Sequence, residues 1–218
     1  MMINFLPRLF SGILYIIIIF ASIVIGMEAF LTVFSIFTLI STYEATILYK
    51  KIKSKGYKYK HLLIPPLYVL ISMLALVYIP FSGEDIYNPY IILLIFVLVW
   101  ISDTMSYFFG SLFGRTKLKI KASPNKTWEG FIGGLFCSLL FSYVSFNSIQ
   151  EILPFWKTIL LGFIIPIFGL FGDIVQSNIK RKAGVKDSGN IIPGHGGLFD
   201  RLDSAIGSSF VVLIITIL

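Results

Sequence analysis

The segment SNIKRKAGVKDSGNIIPGHGGLFDRLDS, residues 177–204, is a dense polar stretch set between two apolar runs near the end of the chain. It holds Asp187, Asp200 and Asp203, and Asp173 lies just upstream. Lys180, Arg181, Lys182, Lys186 and Arg201 are interleaved with these acids, and His195 stands in the turn Pro193-Gly194-His195-Gly196-Gly197. Carboxylates hold hard divalent cations, and cationic side chains neutralise phosphates. Asp200 and Asp203 are three apart, so on a helix they share a face and can address one cation site. Arg201 then projects elsewhere, toward a phosphate. The proline and its neighbouring glycines predict a turn whose backbone N–H groups approach an anion closely. A solvated loop beside a membrane would not need glycines on both sides of a histidine. The spacing points to a metal-assisted phosphate site.

The rest of the chain says where such a site lies. Of 218 residues, 56% are hydrophobic and only 13% charged, whereas soluble domains average about 25% charged residues. A bilayer-spanning helix needs about 20 mainly apolar residues. Runs of this kind occupy residues 9–25, 29–48, 62–81, 90–109, 130–146, 157–172 and 205–218. The predicted fold is therefore an all-α integral membrane protein, a polytopic bundle of about seven transmembrane helices. It reads as one membrane domain, 1–218, with N-terminal helices in 1–100 and the polar motifs in 101–218. The first run has no small-residue cleavage site after it and reads as a retained span. Cys137 is alone in an apolar run, so no internal disulfide is expected and a thiol catalyst is not indicated.

Charge supplies the orientation. All of the 18 basic residues except Lys157 fall before the first run or in the loops after the second, fourth and sixth. The opposite loops, 82–89 and 147–156, carry Glu84, Asp85 and Glu151. Lys and Arg concentrate in cytoplasmic loops, so the N-terminus and the polar stretch are expected in the cytosol. The net charge of +7 follows the membrane in this way and does not indicate nucleic acid. The lysine loop 50–61 has no acid or glycine cluster; it reads as a topology anchor before a binder of acidic headgroups.

Two further polar features face the same side. Asp103 lies within the fourth run, and an ionisable group at membrane depth is a functional hypothesis by default. The alternative is a hydrogen bond to a Ser or Thr on a neighbouring helix. The next loop reads Ser123-Pro124-Asn125-Lys126-Thr127-Trp128-Glu129-Gly130. Ser123 and Thr127 offer hydroxyls and helix caps, and the start of the fifth run offers free N–H groups to an anion. Lys126 adds charge for a triphosphate, and Glu129 is available to a metal or to Lys126. The plainer reading is an N-cap with an interfacial Trp128.

The 177–204 stretch resembles the signature of the phosphatidate cytidylyltransferases, or CDP-diacylglycerol synthases. Ser177, Lys180-Arg181, Lys186-Asp187, His195-Gly196-Gly197, Asp200-Arg201 and Asp203 meet it in order. The Ser-Pro loop is similar to the family's second motif, and Asp103-Thr104 to an Asp-Thr element, here followed by bulkier residues than is usual. Where relatives often have Glu, this chain has Gln176. The resemblance covers residues 102–204; the N-terminal half matches in character only, through a basic residue ahead of the first run and Glu44 in an aromatic setting.

The resemblance implies that CTP and phosphatidate give CDP-diacylglycerol and pyrophosphate, with a site at the cytosolic interface of a bacterial cytoplasmic membrane. It assigns catalytic roles to Asp173, Lys186, Asp187, Asp200, Arg201 and Asp203. Substrate contacts fall to Asp103, Ser123, Lys126, Thr127, Ser177, Lys180, Arg181, His195, Gly196 and Gly197. Mg²⁺ is expected on Asp173, Asp200 and Asp203, with a second cation such as K⁺ near Asp187. His195 either donates to a phosphate or orders its turn. Expected partners are CTP, phosphatidate, membrane lipids and, by family likeness, a second copy in a homodimer. Two other readings compete: a CTP-dependent transferase acting on an isoprenoid or ether lipid, and a small transporter using Asp103 and Asp173. A transporter predicts internal repeats, and the sequence has none.

Overall fold

The computed structural model describes residues 5–54, 64–82, 86–194 and 196–218; within helices, the side chains of residues 5–9 and 64 fall outside that description. Lys55, Lys58, Lys60, Glu84, Asp85 and His195, and the Arg8 side chain, therefore lie outside the described residues.

Among the described residues the fold is all-α and membrane-type. Seven α-helices run in order: α1 (Phe5–Ile25), α2 (Met27–Ser54), α3 (Ile64–Tyr78), α4 (Pro89–Phe113), α5 (Trp128–Ile149), α6 (Phe155–Ala183) and α7 (Phe199–Ile217), with a 3-10 turn at Ile79–Phe81. Each coincides with one expected apolar run. Hydrocarbon offers no partner to a backbone N–H or C=O, so an apolar run must satisfy its own ladder, and the α-helix does this within one segment. By length and composition, α2, α4, α5 and α6 are each able to cross a membrane, and α1 and α3 supply shorter apolar helices. α7 differs because Asp200, Arg201 and Asp203 occupy its start. Large apolar side chains such as Phe20, Val24, Leu39, Phe136 and Val144 stand exposed, as lipid contact requires.

Several helices outrun their apolar runs. α6 continues through Lys180, Arg181 and Lys182, where cations favour the negative end of the helix dipole. α2 ends in the same way with Lys51 and Lys53 in its last turn. Only Gly26, with a φ of +139°, separates α1 from α2. That left-handed conformation suits glycine and permits the tight connection.

The chain divides into two compact units. One comprises the chain up to Val77 together with Gln176–Asp203; the other comprises Tyr78–Val175 together with Ser204–Leu218. In the second unit, α4 and α5 approach through small residues. A methyl group on Gly130 would meet the carbonyl oxygen of Ser106 at 2.6 Å, and one on Gly134 would overlap Ser106. α6 and α7 approach in the same way. A Cβ at Gly207 would lie 2.5 Å from Gly172 Cα and 2.6 Å from the Phe168 carbonyl oxygen. Small residues allow this contact between helices in a bilayer, where dispersion and hydrogen bonds replace the hydrophobic drive.

Candidate functional site

In the first unit the polar stretch is a folded loop between two helices. α6 ends in a Schellman motif: Gly184 takes a φ of +77°, its N–H donates to Arg181 O at 3.0 Å, and Val185 N–H donates to Lys180 O at 3.0 Å. The chain turns again over Gly194 (φ +73°) and Gly196 (φ +90°), closed by Ile192 N–H donating to Gly196 O at 2.9 Å. Ser11 Oγ donates to the Pro193 carbonyl at 3.0 Å, and Tyr15 Oη to that of Arg201 at 3.0 Å. α1 thus holds the start of the glycine turn and the first turn of α7.

Asp200 is the hub of this unit. It occupies the first turn of α7, where a carboxylate meets the positive end of the helix dipole. Its Oδ2 accepts from Ser188 N at 2.7 Å, Ser188 Oγ at 3.0 Å and Gly197 N at 3.0 Å. Its Oδ1 accepts from Lys180 Nζ at 2.7 Å and Gln176 Nε2 at 3.2 Å. A carboxylate offers about four lone-pair sites, so the described donors already fill it. The Asp200 side chain is only 5% exposed and that of Lys180 14%. The Gly197 N–H, expected on an anionic substrate, is directed to Asp200.

The remaining signature residues surround this hub unevenly. Ser177 is buried in α6, whereas Arg181, Lys186, Asp187 and Arg201 are exposed. A Cβ at Gly196 would lie 3.2 Å from Asp187 Cβ, so Asp187 packs against the glycine turn. Asp203 follows Asp200 by one turn of α7, as their spacing predicted.

Glu44 is the residue that sequence reasoning left without a role. It lies in α2, 2% exposed, and its Oε2 accepts from Phe199 N at 2.8 Å and Ser188 Oγ at 3.0 Å. Its Oε1 accepts from Leu198 N at 3.2 Å. The available signal was the one used for Asp103, a lone charge within an apolar run.

The second unit holds the other group. Lys126 forms an ion pair with Asp173, both side chains about one quarter exposed, at 26% and 27%. Asp103 accepts a hydrogen bond from Ser204 Oγ on α7 at 3.2 Å, which is the interhelical bond considered for it. Thr127 caps α5: its Oγ1 accepts from Gly130 N at 3.2 Å. The loop ahead of α5 is a small hairpin, with Leu118 N donating to Lys126 O at 2.9 Å and Trp128 N to Thr116 O at 2.9 Å. Ser123 N donates to Ile120 O at 3.1 Å within it. Glu129 corrects one expectation: its carboxylate accepts from Thr116 N at 3.0 and 3.1 Å, and Lys126 pairs with Asp173 instead. The backbone N–H is nearer and fixed by the hairpin, and a flexible lysine is free to reach another acid.

Among the described residues, no three His, Cys, Asp or Glu side chains gather closely enough to hold a metal ion. The oxygen chemistry for a hard cation is nonetheless present. In the first unit the buried Gln176 Oε1 has no hydrogen-bond partner while its Nε2 is bound to Asp200. An amide oxygen beside a carboxylate is a donor set suited to Mg²⁺ or K⁺ rather than to a soft metal.

The family model described as cytidylyltransferase matches residues 3–218. A protein of Staphylococcus haemolyticus (strain JCSC1435) named phosphatidate cytidylyltransferase is 50% identical over 127 residues, covering 58% of this chain and 48% of that protein. Proteins of the same name from Staphylococcus saprophyticus subsp. saprophyticus and Staphylococcus aureus (strain COL) are each 46% identical over 127 residues, with the same coverage. The chain spans about half the length of the curated relatives it matches.

Proposed function

The chain belongs to the cytidylyltransferase family, and from that premise we propose that it transfers the cytidylyl group of CTP to phosphatidate, releasing pyrophosphate and forming CDP-diacylglycerol. The observation that carries the reading is 50% identity over 127 residues to a protein named for this activity. The polar clusters around Asp200 and Asp173 support it, because each joins a carboxylate to a lysine within an otherwise apolar protein.

In the reaction, a phosphate oxygen of phosphatidate attacks the α-phosphorus of CTP. The bond from that phosphorus to the β-phosphate bridging oxygen breaks, and its electron pair leaves with pyrophosphate. Such a transfer needs positioning and charge neutralisation more than a protein nucleophile. Lys126, Lys180, Arg181, Lys186 and Arg201 are the cationic groups that would screen the two polyanions from each other. Arg201 suits a bidentate phosphate contact, because its guanidinium is a planar fork of donors. Ser123, Thr127, Ser177, His195, Gly196 and Gly197 would complete the substrate contacts, Asp187 the acidic set, and Asp103 the positioning of α7 through Ser204.

Mg²⁺ on Asp173, Asp200 and Asp203, with a second cation such as K⁺, would supply further neutralisation of phosphate charge. Lys126 and Lys180 now cover two of these carboxylates. The same lysines would meet phosphates once their carboxylates turn to a cation. The charge of the basic loops favours a site on the cytosolic side, where a soluble nucleotide would meet a lipid headgroup.

The test is incorporation of radiolabelled CTP into chloroform-soluble lipid by the purified chain in detergent. Label should depend on both phosphatidate and Mg²⁺. Incorporation that ignores phosphatidate, or none at all beside an active relative, rejects the proposal. An ether lipid phosphate offered in parallel separates diacyl from isoprenoid substrates.

A further inference from the structure

We infer that Glu44 is a positioning residue: its buried carboxylate clamps Ser188, Leu198 and Phe199 and, through Ser188, fixes the Asp200 carboxylate. The inference rests on the transferase reading for its consequence, though not for its geometry. Three donors converge on Glu44: the N–H groups of Leu198 and Phe199, and Ser188 Oγ. The two amides belong to the start of α7 and the residue before it, where no intrahelical acceptor exists. Glu44 is therefore a cap supplied from α2, separated in sequence from Phe199 by 155 residues.

The contact with Asp200 is the decisive part. Ser188 Oγ lies 3.0 Å from Glu44 Oε2 and 3.0 Å from Asp200 Oδ2. A hydroxyl has one proton, so it is shared between two carboxylates, and each limits where the other can stand. Gly197 completes the link, since its N–H donates to the same Asp200 oxygen. Moving Glu44 moves every group on Asp200 Oδ2: Ser188 directly, and Gly197 through the adjacent Leu198.

Glycine geometry supports the clamp independently. A Cβ at Gly189 would fall inside van der Waals contact of Glu44 Oε1, and one at Gly197 would lie 2.5 and 2.6 Å from Glu44 Oε2 and Oε1. Two glycines of the polar loop thus make room for this one carboxylate. Nothing in the signature alone required Gly197 to lie against a residue of α2.

The experiment compares wild type, Glu44→Gln and Ser188→Ala, each as the full chain in detergent. Gln keeps the shape but offers one acceptor oxygen and an NH₂, which must face a donor. Glu44→Gln should lower kcat about 10- to 100-fold, the usual range for groups that orient a functional carboxylate, with KM for CTP within about twofold. Ser188→Ala removes only the bridging hydroxyl and should cost kcat about two- to tenfold, as for one hydrogen bond. Amide hydrogen exchange supplies a readout that does not depend on activity. In Glu44→Gln it should rise at Ser188, Leu198 and Phe199 and stay unchanged elsewhere in α1 and α2.

Unchanged kcat and unchanged exchange in Glu44→Gln overturns the inference. So does exchange that rises throughout α1 and α2, which would make Glu44 merely structural. Should Glu44→Gln yield no folded protein, Ser188→Ala decides: local exchange with reduced kcat supports the clamp, and wild-type values for both reject it. If wild type itself makes no CDP-diacylglycerol, the proposed function fails, while the exchange pattern still decides whether the clamp exists.

Discussion

Lys180 Nζ lies 2.7 Å from Asp200 Oδ1, and both side chains are largely buried. Removing one member of such a pair strands the other, at a cost of about 3–5 kcal/mol. Asp200→Asn should therefore abolish Mg²⁺-dependent CDP-diacylglycerol formation and also lower Tm by several degrees. Labelled-CTP incorporation and a thermal melt in the same detergent check the two parts. Wild-type turnover would remove Asp200 from the site.

Arg201 separates charge from geometry. Its side chain is exposed, and its carbonyl accepts a hydrogen bond from Tyr15 Oη. Arg201→Lys keeps the charge and loses the bidentate fork. Turnover should drop by about tenfold, one charge-assisted hydrogen bond, with Tm unchanged. Full activity would take Arg201 off the phosphates.

Lys126, in the loop ahead of α5, and Asp173, in α6, form an ion pair. Lys126→Met should raise KM for CTP, because a phosphate loses its cation. Asp173→Asn should lower turnover instead. A double-mutant cycle measured on thermal stability should give a coupling of about 0.5–3 kcal/mol, as for residues in direct contact. Additive effects would mean that the pair does not form in the membrane.

Two glycine substitutions distinguish hard from yielding neighbours. A Cβ at Gly207 meets the backbone of Gly172 and Phe168, whereas one at Gly133 meets the Phe109 side chain. The Phe109 ring can rotate and relieve part of its overlap, its Cβ at 2.7 Å needing a small helix shift, whereas at Gly207 every close atom is backbone. Gly133→Ala should cost about 1–3 kcal/mol, in the range of overpacking. Gly207→Ala should cost more and prevent α7 from docking on α6. Melting temperatures of the two variants, compared in one detergent, test the order.

These cases mark how far the sequence reaches. Each apolar run became a helix because a backbone in hydrocarbon has to satisfy itself locally, a rule legible in any window of about 20 residues. The placement of Asp200 and Asp203 on successive turns of α7 followed from spacing for the same reason, since helical periodicity is local. The glycine turn was legible as well: Gly194 and Gly196 take the positive φ that their residue type permits. Helix ends were less so, because α6 carries its ladder past the apolar run into Lys180–Lys182, where nothing forces it to stop before Gly184.

What the sequence by itself determined is the class of the protein, its helical spans, its family signature and the residue types at its polar centres. Only the tertiary structure decided which partners those residues take. Lys126 chose Asp173 over the adjacent Glu129, Asp103 met Ser204, and Glu44 capped a helix that begins far along the chain. Those choices depend on how helices distant in sequence pack, and a hydrogen bond or ion pair is fixed by distances of a few ångströms that no local spacing encodes.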